Sequence, residues 1–127
     1  VPKDVINSPL KFFVLKRSKR LHGESAVKTV LKEGHRISSP FFACTRLPNT
    51  VKTTRYAAVV GKKIAKLAVD RNRGRRQVYE AIRLLEQAKE VPSDSSSDIV
   101  IVVRTPGLKA SFEELKTALS ILLRRPS

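Results

Sequence analysis

The groups best equipped for chemistry are concentrated between Lys62 and Arg83. The run reads Lys62-Lys63-Ile64-Ala65-Lys66-Leu67-Ala68-Val69-Asp70-Arg71-Asn72-Arg73-Gly74-Arg75-Arg76 and continues to Tyr79 and Arg83. An arginine guanidinium is a planar fork that grips phosphate through two hydrogen bonds and stacks on bases, whereas a lysine ammonium is a compact point charge. Asn72 sets an amide donor and acceptor between two such forks, and only Asp70 offsets the charge up to Arg76. At about 100° per residue, Val78, Ala81, Ile82, Leu85 and Ala88 mark one side of a helix that starts near Asp70 or Arg71. Arg73, Arg76 and Arg83 fall on the opposite side. Arg71 falls nearer the apolar side, but a place in the first turn would let its guanidinium meet a phosphate that the helix N-terminus also attracts. So one-sided a stripe predicts a polyanion-binding surface rather than a merely solvated face.

The remainder of the chain offers little for covalent chemistry. His22 and His35 are isolated, and no paired-His, Ser-His-Asp or clustered-carboxylate pattern occurs, which speaks against intrinsic catalysis. Cys44 is the single cysteine, so neither an internal disulfide nor a Cys-rich zinc site can form; it is expected to be a reduced, buried strand residue. Composition agrees with the stripe. Twenty-six Lys and Arg against 11 Asp and Glu leave a formal +15 on 127 residues, a length that suits one domain. Charge repulsion on that scale is relieved by a polyanion, and nucleic acid is the leading class. A membrane is disfavoured because no run approaches the roughly 20 apolar residues of a spanning helix. Nor does the start of the chain resemble a signal peptide, so a cytoplasmic protein is expected. The chain contains no methionine, which makes Val1 a processed or truncated start.

Positioning the stripe requires a folded frame. Residues 1–15 are expected to form a basic N-terminal arm and residues 16–124 the domain. From Ser25, the residues Ala26, Val27, Val30 and Leu31 share one helical face, with Gly34 supplying a C-terminal turn. Arg36 to Leu47, interrupted by Pro40, and Thr54 to Val60 read as two or three antiparallel strands, with turn chemistry at Pro48-Asn49. Ile99 to Val103 is apolar at every position and predicts a central strand buried on both faces. The helix between these strands demands a crossover connection, and residues 92–97 form a polar loop. Ser111-Phe112-Glu113-Glu114 has capping-box spacing, and Phe112, Leu115, Ala118, Leu119 and Leu122 continue on one face of a closing helix.

The ordered set Lys62-Lys63, Ala68-Val69, Arg71-Asn72-Arg73 and Arg75-Arg76 resembles the signature of bacterial ribonuclease P proteins. The likeness extends to Arg20-Leu21, Val30 and Gly34, to Phe41-Phe42, and to Asp98 through Arg104 with Leu115 and Leu119. It implies an α+β fold: a single αβββαβα domain with a mixed four-stranded sheet and a left-handed βαβ crossover, which periodicity alone does not show. It also implies a role. The protein would be the subunit that binds a catalytic RNA through Lys62, Lys63, Lys66, Arg71, Asn72, Arg73, Arg75, Arg76 and Arg83. The 5′ leader of precursor tRNA would lie in a cleft between the first helix and the sheet, where the candidates are Val27, Leu31, Phe42 and Thr45. The RNA, using Mg²⁺, would hydrolyse the phosphodiester, with no metal ligand or catalytic residue in the protein and neither DNA nor membrane as partner. Three departures from the pattern stand out. Gly61 replaces the usual serine, one extra residue separates Lys63 from Arg71, and Val27, Leu31 and Thr45 occupy positions often aromatic, so base stacking there is weakened. A ribosomal or other structural RNA-binding protein of related architecture shares this composition, and only the ordered motif separates the two. A small nuclease would need a general base that the sequence lacks.

Overall fold

A computed structural model of the chain describes residues 15, 17–91 and 95–124. Apart from Leu15, the arm expected over residues 1–15 lies outside these; Leu15 is itself core, 3% exposed, so the domain includes it. A 3₁₀ turn at Arg17–Lys19 leads into helix α1 (Glu24–Glu33), strands β1 (His35–Ser38), β2 (Phe42–Pro48) and β3 (Arg55–Val59), and helix α2 (Ala68–Gln87). Strand β4 (Ser97–Val103), a short helix α3 (Thr105–Lys109) and helix α4 (Phe112–Arg124) complete the fold. This is the α+β order αβββαβα with α3 added, a helix that Thr105-Pro106-Gly107 did not announce.

The sheet is mixed, in the order β1-β2-β4-β3. Pairings β1–β2 and β2–β4 are antiparallel and β3–β4 is parallel. The expectation that the strands on either side of Pro48-Asn49 pair with each other is therefore corrected: β4 separates them. Its all-apolar run from Ile99 to Val103 explains why. Ile99, Ile101 and Val103 face one layer and Val100 the other, and only an inner position pairs both of its edges while burying both faces. The long α2 supplies the crossover that a parallel β3–β4 pair requires.

Two helical layers cover the sheet. On one face Phe42, Cys44, Tyr56, Ala58, Ile99 and Ile101 meet Val78, Ala81, Ile82 and Leu85 of α2 and Leu115, Leu119 and Leu122 of α4. On the other, Ala57 and Val100 pack with Leu21 and with Val30 of α1. The capping box at α4 forms as read: the Ser111 N–H donates to Glu114 Oε1 at 2.9 Å and the Glu114 N–H to Ser111 Oγ at 3.2 Å. Gly34 ends α1 as expected, its N–H donating to the Val30 carbonyl at 2.8 Å, but not through a left-handed turn. Its φ is −82°, ordinary extended backbone, and the need for glycine is steric, because a Cβ would sit 2.7 Å from the carbonyl oxygens of Arg46 and Val30.

Candidate nucleic-acid interface

Beyond β3 the chain turns tightly, with the Gly61 carbonyl accepting from the N–H groups of Ile64 and Ala65 at 3.0 and 3.1 Å. This turn holds Lys62 and Lys63 exposed, and Lys66 follows, also exposed. Helix α2 then begins at Ala68, earlier than the expected start near Asp70 or Arg71, because alanine extends a helix readily even where Leu67 gives no side-chain cap. At its other end Ala88 is the C-cap and exposed, not part of the core face.

The early start changes what Arg71 does. As the fourth helical residue it points its side chain back toward the N-terminus. Its Nη1 donates to the carbonyls of Ala65 at 2.9 Å and Lys66 at 2.8 Å. One nitrogen of the guanidinium expected to meet a phosphate in the first turn is thus engaged with the lysine-bearing loop, tying it to α2.

The outer face keeps most of its predicted character. Arg73 has a side chain 70% exposed, with Asp70 Oδ1 no nearer than 4.0 Å, a contact too loose and too wet to neutralise it. Arg76 is exposed and makes no hydrogen bond or ion pair with the described residues. Arg75 donates to Asn72 Oδ1, which occupies the amide's acceptor and leaves its donor free. Arg83 departs from the expectation of an open cation: Nε and Nη2 grip Glu80 at 2.7 and 3.1 Å, and Nη1 reaches Gln87 Oε1 at 3.3 Å. That pairing was legible, since Glu80 and Gln87 stand three before and four after Arg83 on one helix face. Lys62, Lys63, Lys66, Arg73 and Arg76 are thus the open cations of the predicted set.

One cation escaped the site reading. Arg20 sits over the Tyr79 ring, 5.8 Å from its centroid, and its Nε is buried without a hydrogen-bond partner. Neighbouring Lys19 pairs with Glu86 at 3.0 Å, largely out of solvent, and donates to Thr53 Oγ1. Nothing in the spacing of Arg20 and Tyr79 announces their meeting.

The second predicted site lies between α1 and the sheet. Val27 is half-buried against that face, Thr45 is buried at 3% exposure close to Gly34, and Leu31 is 46% exposed at the rim. Phe42 is not there. It points through the sheet into the α2/α4 core and is fully buried, so its place among the cleft candidates is corrected. Strand alternation accounts for this: Ala43 and Thr45 face α1, hence Phe42 and Cys44 cannot. The half-buried Val59 and Val102, partners across β3–β4, extend an aliphatic strip beside α1. Among the described residues every Phe and Tyr side chain either belongs to the opposite core or packs against it.

No three His, Cys, Asp or Glu side chains among the described residues converge on a possible metal position. Burial pushes the Cys44 thiol up to about 11, against the pull of Arg46, which leaves a poor nucleophile. No helix among the described residues is long and apolar enough to cross a membrane.

Comparison with known proteins agrees with this geometry. The family model described as Ribonuclease P matches residues 15–127. The ribonuclease P protein component of Chloroflexus aurantiacus is 34% identical over 113 residues, covering 87% of this chain and 79% of that one. Its counterpart in Xylella fastidiosa is 36% identical over 109 residues, covering 86% and 76%. Among solved structures, the ribonuclease P protein from Thermotoga maritima matches with a TM-score of 0.72 at 25% identity, over 85% of this chain and 97% of that chain. The family match takes in every described residue, basic loop, α2 and sheet alike, and the chain belongs to the ribonuclease P protein family.

Proposed function

We propose that this chain binds the catalytic RNA of ribonuclease P and the 5′ leader of precursor tRNA, and so assists 5′-end maturation of tRNA. The observation that carries this reading is the segregation on and around α2. Val78, Ala81, Ile82 and Leu85 face the core, while Arg73 and Arg76 and the loop lysines 62, 63 and 66 stand exposed. The uncapped N-terminus of a 20-residue helix adds its own attraction for phosphate. On this reading Arg73 and Arg76 hold phosphates through their forks, the lysines supply diffuse attraction, and Asn72 offers one amide donor between them.

The leader would pass along the aliphatic strip of Val27, Val59 and Val102 with Leu31 at its rim, gripped by apolar contact rather than by stacking. Mg²⁺ and the hydrolytic chemistry would belong to the RNA. The protein then contributes positioning, which accelerates a reaction by holding groups in attack geometry.

Reconstitution tests the proposal. The protein, a catalytic ribonuclease P RNA and precursor tRNA are combined at low Mg²⁺, and appearance of the mature 5′ end is followed. Cleavage that depends on both protein and RNA is expected. Cleavage by the protein alone, or none above that of the RNA alone, would overturn the assignment.

A further inference from the structure

We infer that Arg20, held against the face of Tyr79, is a phosphate-binding residue that carries the RNA-binding surface from α2 onto the segment preceding α1. The inference rests on the reading of α2 given above and adds to it a residue from a different part of the chain.

The backbone of Arg20 is fixed twice. Its N–H donates to the Arg17 carbonyl at 3.1 Å, and Arg20 bridges Tyr56 in parallel along the open edge of β3, with the Leu21 N–H donating to the Tyr56 carbonyl at 2.7 Å. The shelf beneath the guanidinium is fixed as well, because Tyr79 Oη accepts the Ala58 N–H at 3.0 Å. A cation over an aromatic face at this distance is attracted by the ring quadrupole. That attraction holds the group in place but satisfies none of its N–H donors.

The donors are the informative part. Arg20 is partly buried, its Nε fully so, yet its guanidinium makes no hydrogen bond or ion pair with the described residues. Polar groups taken from water normally find acceptors, and a charged one most of all. Other arginines nearby do: Arg55 grips Asp98, Arg71 the loop carbonyls, and Arg83 Glu80. Arg20 is a preorganised fork lacking an acceptor among the described residues, and the acceptor that suits it is a phosphate oxygen.

Its neighbours point to the same ligand. On α2, Tyr79 lies three residues after Arg76, four after Arg75 and four before Arg83, so the ring sits amid the arginine stripe. Arg20 and Arg76, both without acceptors among the described residues, flank it from two chain segments.

The test compares binding of a catalytic ribonuclease P RNA across a range of salt for the wild type, Arg20→Ala, Arg20→Gln, Tyr79→Phe and Arg76→Ala, with thermal unfolding of each. Loss of one phosphate contact should shrink the log–log salt slope of Arg20→Ala by about 0.7–0.9 and weaken binding about tenfold. Arg20→Gln, which keeps the side-chain stem over the ring, should show the same loss and covers failure of the Ala variant to fold. Tyr79→Phe keeps the ring but loses the acceptor that fixes it to Ala58, so it should melt earlier and weaken RNA binding by less than Arg20→Ala does. Arg20 variants that melt earlier yet retain the wild-type slope and affinity would reduce Arg20 to a structural cation–π contact and overturn the inference. An Arg76→Ala variant with a reduced slope beside them would show that the reading of α2 survives. A wild-type plot that is flat in salt would remove both.

Discussion

Replacing Arg71 with alanine gives the sharpest test of how the basic surface is built, because the structure and the sequence motif assign this residue different work. In the folded chain its guanidinium holds the carbonyls of Ala65 and Lys66 at 2.9 and 2.8 Å. A hydrogen bond from a charged donor contributes about 1.5–3 kcal/mol when well formed. The Lys66 carbonyl is exposed, so the pair together is placed at about that range rather than twice it. Once the tie is cut, RNA must order the loop itself, which should weaken binding about ten- to a hundred-fold. The loss should run through Lys62, Lys63 and Lys66, which the tie presents. A double-mutant cycle isolates this: RNA affinity is measured for wild type, Arg71→Ala, the triple alanine variant of the three lysines, and the combination, with thermal unfolding alongside. Loss of Arg71 should cost less in the lysine-free background, with a coupling of about 1 kcal/mol or more. Costs that add within about 0.5 kcal/mol would mean that Arg71 touches the RNA directly, and the positional argument would be wrong.

Other consequences are simpler to check. Arg73→Ala should change stability by no more than about 0.5 kcal/mol in urea unfolding yet weaken RNA binding about ten- to a hundred-fold, with Arg73→Lys recovering part; unchanged affinity would return the stripe to a solvated face. In Gly107→Ala the new Cβ would lie 2.5 Å from the Phe41 carbonyl oxygen, which also accepts the Arg104 N–H; rigid backbone on both sides should make this cost about 1–3 kcal/mol in urea unfolding, and an unchanged midpoint would contradict it. The Cys44 thiol, raised from 9.0 to about 11 by burial, ionises first in the unfolded chain, so its contribution to stability is intact below about pH 9 and declines from there toward 11. Native protein at pH 8 should accordingly resist iodoacetamide and react once denatured, and equal labelling in both states would refute the burial argument. Introducing Phe at Val27 or Leu31 should increase the preference for precursor over mature tRNA, since stacking contributes about 1–3 kcal/mol per base; no gain in two folded variants would mean that the leader is held another way.

Much of the frame was legible because it is local. The apolar face of α2, the capping box at Ser111 and Glu114, and the two-sided burial of β4 all follow from residues within a few positions of one another, where helix and strand periods apply directly. The open cations at Arg73 and Arg76 follow too, since a residue opposite the core face of a helix has solvent as its surroundings. Even the pairing of Arg83 with Glu80 was within reach of the same rule.

What the chain alone determined, then, is which of the longer segments are helix or strand, which side of each seeks the core, and that an excess of positive charge lies outside it. Tertiary structure decided the rest. Whether β3 pairs with β2 or admits β4 between them depends on contacts some 40 residues apart, which no local pattern encodes. Alternation separates Phe42 from Ala43 and Thr45, but only the docking of α1 on one face and of α2 with α4 on the other sends Phe42 into the core and leaves the strip beside α1 aliphatic. Arg71 and Arg20 make the same point. A long, charged side chain takes whichever acceptor or ring the fold brings within its reach, and that partner exists only once separate segments have packed.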